Sequence, residues 1–256
     1  MGLVTGLLAA FWLAGSAMAA QTAERRFVTE HFPPYTYAEN GRAAGPMVDL
    51  LEAACAELGW RCRVEVLPWR RALAEAQRGA ADGIFTVVDT PERRVYFHVS
   101  VPVIDARYTL FGRAGDDFHY QGDRLQLQGR TIAAYGPSAT VLALDELVEG
   151  LALKTEIESD NVTVLRKLAA GRYGPRGLAL VNENVALQLI RDQGIGGLQA
   201  AGSIKSFAYA FGLSRERVGA ADAAAFNKTL VQLCRSGRSA ALIRPYALPA
   251  SACGKA

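Results

Sequence analysis

The sequence predicts an α/β protein built as two lobes, with the chain crossing between them twice. Three observations carry this. Apolar stretches of strand and helix periodicity alternate along the chain. The alternation ends near Gly115 and restarts at Arg130. A last strand then leads into two closing helices that return the chain to the first lobe. A βαβα order of this kind implies a mostly parallel sheet covered by helices.

In the first lobe, Arg26 to Glu30 reads as a short strand. Met47, Leu50, Leu51, Ala54, Cys55 and Leu58 form a helical stripe that Gly59 ends. Cys62, Val64 and Val66 alternate as a strand, and Trp69 to Arg78 is a helix stopped by Gly79. Gly83 to Val88 is an apolar strand; Thr90 caps a short helix with Pro91 in its first position; Ile104 to Phe111 is the next strand. In the second lobe, Arg130 to Tyr135 is a strand, and Gly136-Pro137-Ser138 opens a helix to about Val148. Leu151 to Ile157 is a strand, Val162 to Ala170 a helix closed by Gly171, Leu178 to Val181 a strand, and Glu183 to Arg191 a helix. Ser206 to Ser214 is the last strand; Ala220 to Ser236 and Ala240 to Tyr246 are helices. The joints fall near 108–115 and 200–207, which gives one lobe from 24–110 plus 208–256 and another from 111–207. Clefts between such lobes are preferred ligand sites.

Half of the 256 residues are hydrophobic and 21% are charged, a folding composition. The net charge of +3 is spread along the chain, which argues against a nucleic-acid binder. There is no polybasic run and no second long apolar segment, so a polytopic membrane protein is excluded. Residues 1–23 carry no charged side chain; Leu7 to Leu13 is apolar, and Ala17-Met18-Ala19 has the A-x-A form of a cleavage site. Residues 1–19 therefore read as a secretory signal peptide cut near Ala19, with a retained anchor as the alternative. The small residues from Ala14 to Ala20 favour cleavage.

Four cysteines fit an exported protein, and the two local pairs, Cys55 with Cys62 and Cys234 with Cys253, are the simplest of three connectivities. Loop closure suggests about 2.5 kcal/mol for the first bridge and about 3 kcal/mol for the second. Four buried thiols are the alternative. Neither pair has zinc-ligand spacing, and His31, His98 and His119 are scattered. No cofactor is expected.

Several fragments in order resemble the family 3 extracellular solute-binding proteins, the periplasmic receptors of polar amino-acid ABC importers. They are Thr29-Glu30 followed by Pro33-Pro34-Tyr35; Gly45 and Asp49-Leu50-Leu51; Pro68 through Leu73; Gly79-x-x-Asp82-Gly83; Thr90-Pro91-Glu92-Arg93; and Ser100-x-Pro102. In the second lobe they are Gly129, Gly136-Pro137-Ser138, Gly171-Arg172 and Asn182-Glu183. The resemblance implies a two-lobe, type II periplasmic binding fold with two hinge crossovers. It also implies a disulfide between Cys55 and Cys62, as some members have.

Arg93 carries a guanidinium that can hold a carboxylate through two parallel hydrogen bonds. A solvated arginine beside Arg94 is the plain reading of the residues; the resemblance implies the ligand role. Tyr35, after two prolines, and Trp69, after Pro68, correspond to positions that pack on the ligand, with core packing as the alternative. Thr86 is a further candidate, and Glu30 stands where the family often places a side-chain selector. Ser138 opens a helix whose N–H groups favour an anion, or simply caps it. Asn182 departs from the family's usual Asp, whose charge holds an α-ammonium group. Either Glu183 takes that role or the ligand lacks the ammonium; a cap for the following helix is the remaining reading.

The expected function is capture of a small polar, carboxylate-bearing solute by a monomeric periplasmic receptor that delivers it to an ABC permease in the inner membrane. A non-enzyme is expected: no Ser/His/Asp set, metal cluster or phosphate loop is present. The alternatives are an enzyme resembling cyclohexadienyl dehydratase, with Glu30 or Glu183 as acid or base, and a secreted sensor module.

Overall fold

In the computed structural model, which describes Gly2 and residues 24–254, one nine-stranded sheet runs through the molecule. The expected leader, apart from Gly2, lies outside the described residues. In chain order the strands are β1 (Arg25–Thr29), β2 (Tyr37–Glu39), β3 (Arg42–Ala44), β4 (Cys62–Val66), β5 (Gly83–Val88), β6 (Phe97–Val99), β7 (Ile104–Arg113), β8 (Thr131–Tyr135), β9 (Lys154–Glu158), β10 (Gly177–Asn182) and β11 (Leu198–Ser214). The helices are α1 (Pro46–Glu57), α2 (Trp69–Gln77), α3 (Pro91–Tyr96), α4 (Ala139–Val148), α5 (Asn161–Ala169), α6 (Glu183–Asp192), α7 (Ala220–Arg235) and α8 (Arg238–Ile243).

The sheet order is β4-β1-β5-β11-β7-β10-β8-β9, with β6 on β11. Its outer thirds, β4-β1-β5 and β10-β8-β9, are parallel, as the βαβ pattern predicts. The centre is antiparallel, which corrects a mostly parallel reading there. The reason is that β7 and β11 run past each other in opposite directions, paired from Leu198 with Arg113 to Tyr209 with Ile104.

β11 begins at Leu198, eight residues before the strand read from the sequence. Register shifts between Ala200 and Gly202 and between Ser203 and Lys205 break the period-two pattern, so the first half does not look like a strand in sequence. The hairpin of β2 and β3 turns at Asn40 and Gly41, both with positive φ. Asn-Gly is the strongest short hairpin signal, and the sequence reading passed over it. Expected strand 151–157 is observed as β9, and expected helix 240–246 ends at Ile243 in a 3-10 turn containing Pro245.

Alternation sets the core. In β8, Ala133 and Tyr135 join the large cluster with α5 and α6, while Ile132 and Ala134 face the second cluster with α4. In the other half, Phe27 on β1 stacks near Phe226 on α7, with ring centroids 6.4 Å apart. The disulfides Cys55–Cys62 and Cys234–Cys253 tie α1 to β4 and α7 to the C-terminal segment. Among the described residues no helix is long and apolar enough to cross a membrane.

Candidate functional site

The C-terminal ends of the parallel strands converge from both halves of the sheet, and the loops after them face each other. Glu30 follows β1, and Thr86 lies near the end of β5. Beyond β5, Thr90 accepts a hydrogen bond from the Arg93 backbone N–H at 3.2 Å and so caps α3. This cap, with Pro91 in the first turn, fixes the short helix that turns Arg93 inward. Pro68 brings Trp69 to the start of α2. From the other side, Tyr135 ends β8 and Ser138 caps α4: its hydroxyl donates to the Tyr135 carbonyl at 2.7 Å and accepts from the Thr140 N–H at 3.1 Å.

These side chains enclose a cavity of about 30 Å³, lined by Glu30, Trp69, Thr86, Arg93 and Ser138 together with Phe32, Tyr135, Thr140, Tyr108 and Tyr209. Five of the seven residues singled out in the sequence thus meet at one place. Tyr108 and Tyr209 come from β7 and β11.

Two donors at this cavity lack partners. Arg93 is only 6% exposed, and its Nη1 has no hydrogen-bond partner among the described residues; neither has Trp69 Nε1. The guanidinium lies 5.7 Å from the Trp69 ring centroid, within cation–π range. Burial lowers the pKa of Arg93, with Glu92 acting in the opposite direction. A buried, unpaired guanidinium is costly and is relieved by an anion.

Glu30 is the counterpart. Its Oε2 accepts a hydrogen bond from Tyr135 Oη at 3.1 Å across the cleft. Burial pushes its carboxyl up to about 8, with the Tyr135 bond opposing the rise. Beyond this contact lies a chamber of about 520 Å³, which shares Glu30, Phe32, Trp69 and Tyr135 with the small cavity.

Tyr35 and Asn182 line neither cavity. They bind each other: the Asn182 amide lies 3.3 Å and 3.2 Å from Tyr35 Oη through its oxygen and nitrogen. The nitrogen also donates to Tyr209 Oη at 3.0 Å, and the oxygen caps α6 by accepting from the Val185 N–H at 3.2 Å. Asn184 donates to the same Tyr35 oxygen at 3.0 Å. Burial raises Tyr35 to about 12, so its hydroxyl keeps its proton. Glu183 turns away, forming an ion pair with Arg107 and accepting from Thr109 Oγ1 at 3.1 Å. Thr86 adopts φ 65° and shares a 3.0 Å hydrogen bond with Thr29.

Sequence reasoning passed over Phe32, Tyr108, Tyr135, Thr140 and Tyr209. Tyr135 carried a signal, since it directly precedes the Gly136-Pro137-Ser138 turn. Tyr108 and Tyr209 lie at the joints, where the pairing of β7 with β11 places them. Among the described residues no group of three or more His, Cys, Asp or Glu side chains could hold a metal ion.

An α/β fold of two facing halves, with a cavity between them and a buried guanidinium whose Nη1 has no partner among the described residues, fits a solute-binding receptor class. The chain belongs to the bacterial extracellular solute-binding proteins, family 3, whose family model matches residues 25–249. That family places the chain among secreted or periplasmic binding proteins. No curated protein matches the chain. Solved structures share the fold. One is a histidine kinase sensor domain similar to periplasmic binding proteins, with 20% identity over 90% of this chain and 99% of that one and a TM-score of 0.78. Another is an amino acid ABC transporter substrate-binding protein from Streptococcus pneumoniae bound to L-arginine, with 22% identity over 87% and 94% and a TM-score of 0.71. A third is an ancestral amino acid-binding protein described as a precursor of cyclohexadienyl dehydratase, with 18% identity over 87% and 94% and a TM-score of 0.71.

Proposed function

We propose that the protein is a periplasmic receptor for a small carboxylate-bearing solute without an α-ammonium group, which it delivers to an ABC importer. The observation that carries this is the pairing of a buried Arg93 whose Nη1 lacks a partner with an Asn182 whose amide is saturated by protein groups. The carboxylate takes two hydrogen bonds from Arg93, with Trp69 Nε1 and the N-terminus of α4 beside Ser138 facing it. Glu183 is engaged by Arg107 and Thr109, so it does not replace the missing Asp. Residues 24–110 with 208–254, and 111–207, are the two bodies that close on the solute, hinged in β7 and β11. Tyr35 with Asn182 and Asn184 forms the clasp between them. Binding energy favours the closed state because the anion bridges groups from both bodies.

A thermal-shift screen tests this reading. It takes the twenty amino acids, dicarboxylates, small peptides and aromatic acids against wild type and Arg93→Ala. At 100 times its dissociation constant a ligand stabilises the fold by about 2.7 kcal/mol, a melting shift of roughly 5–11 °C. The shift is expected with acids and lost in Arg93→Ala. An Arg93→Ala protein that keeps the shift overturns the anion clamp.

Glu30, raised to about 8 and bonded to Tyr135, favours a second reading, an enzyme using this carboxyl as a general acid. Recovery of the bound solute unchanged after prolonged incubation decides for the receptor; turnover decides for the enzyme.

A further inference from the structure

We infer that the solute is amphipathic: its carboxylate sits at Arg93 while an apolar body, an aryl or alkyl chain, fills the chamber beyond Glu30 and Tyr135. This rests on the proposed anion clamp and deepens it.

The first argument is size. The cavity at Arg93, about 30 Å³, is small beside the neighbouring chamber of about 520 Å³. Any solute larger than its carboxylate must extend elsewhere. The cavity shares four wall residues with the 520 Å³ chamber, and the Glu30–Tyr135 hydrogen bond stands between them. The two spaces adjoin there, and Trp69, whose Nε1 lacks a partner, flanks both.

The second argument is lining. Pro33, Val66, Leu67, Val162, Val185 and Leu189 make the chamber wall mostly apolar, and His31 and Asn161 line it as well. Of the acidic groups there, Asp160 is engaged as the cap of α5 by the Thr163 N–H at 2.7 Å and by the hydroxyls of Thr163 and Ser159. Glu30 is the other, and its burial favours the neutral form. The chamber therefore rewards apolar surface and offers a second charge little.

Calorimetry on the mature protein tests this with phenylalkanoates and straight-chain carboxylates of increasing length, beside alkylamines of equal length. Each methylene entering the chamber is expected to tighten acid binding about fourfold until the space is filled. Amines are expected not to bind. Val162→Phe and Leu189→Trp fill the chamber from different helices. Each should weaken long acids at least tenfold and leave the shortest acid that binds unchanged; using two variants guards against one that misfolds. Affinity that is flat with chain length, yet lost in Arg93→Ala, overturns the amphipathic solute and keeps the clamp. Absence of binding by every acid overturns the clamp and, with it, this inference. Amine binding as tight as acid binding also overturns it.

Discussion

The two ends of the cleft bury polar groups equally and treat them in opposite ways. Asn182 is 2% exposed and Arg93 6%. At the Asn182 end, Tyr35, Tyr209, Asn184 and the Val185 N–H close every hydrogen bond within the protein. At the Arg93 end, two buried donors have no protein partner among the described residues. A saturated network rigidifies, while an unsaturated one awaits a partner. Burial and residue type alone do not tell the two ends apart; hydrogen-bond completeness does.

The largest effect that sharpens this contrast is at Arg93. Arg93→Ala should cut affinity for the best acid about ten- to a hundredfold, the worth of a charged hydrogen bond, in calorimetry. Its melting temperature should stay level or rise, since a buried charge is removed. Asn182→Ala should do the reverse. It leaves the Tyr209 hydroxyl and the Val185 N–H unpaired and Tyr35 with Asn184 alone, costing about 2–3 kcal/mol. That lowers the melting temperature by roughly 4–12 °C. A variant that melts normally and fails to bind would place Asn182 in the ligand site and erase the contrast.

Glu30 gives a pH test of intermediate size. In the unfolded chain its carboxyl ionises near 4.5, while in the folded protein it holds its proton to about 8. Its contribution is fully present below pH 4.5 and is lost as pH rises toward 8, because the folded state then binds the extra proton. Glu30→Gln keeps an acceptor for Tyr135 without the charge. It should be more stable than wild type at pH 8 by about 1–3 kcal/mol. The two proteins should converge below pH 4.5 in thermal melts. Parallel profiles would show that Glu30 is solvated. The smallest effect is at Ser138: Ser138→Ala removes the cap of α4 and should cost about 1 kcal/mol in denaturant unfolding.

Much of the fold was legible because local rules set it. Gly59, Gly79 and Gly171 ended helices where expected, and Thr90 and Ser138 capped them. The first half of β11 was illegible because its bulges erase alternation, and the antiparallel centre because it depends on how distant segments meet. The site divided along the same line. Glu30, Trp69, Thr86, Arg93 and Ser138 sit on strand ends and helix starts that the sequence marks, and they converge. That Asn182 would be consumed by Tyr35 and Tyr209, more than twenty residues away in the chain, is a tertiary fact with no local signature.

The central claim, an anion clamp without an ammonium partner, is met most directly by a matched set: 3-phenylpropionate, its amide, and L-phenylalanine, each titrated calorimetrically into the wild-type protein at pH 7. The three differ in the carboxylate and the α-ammonium group alone. The account predicts that the acid binds at least tenfold more tightly than either of the others. L-phenylalanine binding more tightly than the acid would contradict it and point to Glu30 as an ionised ammonium partner.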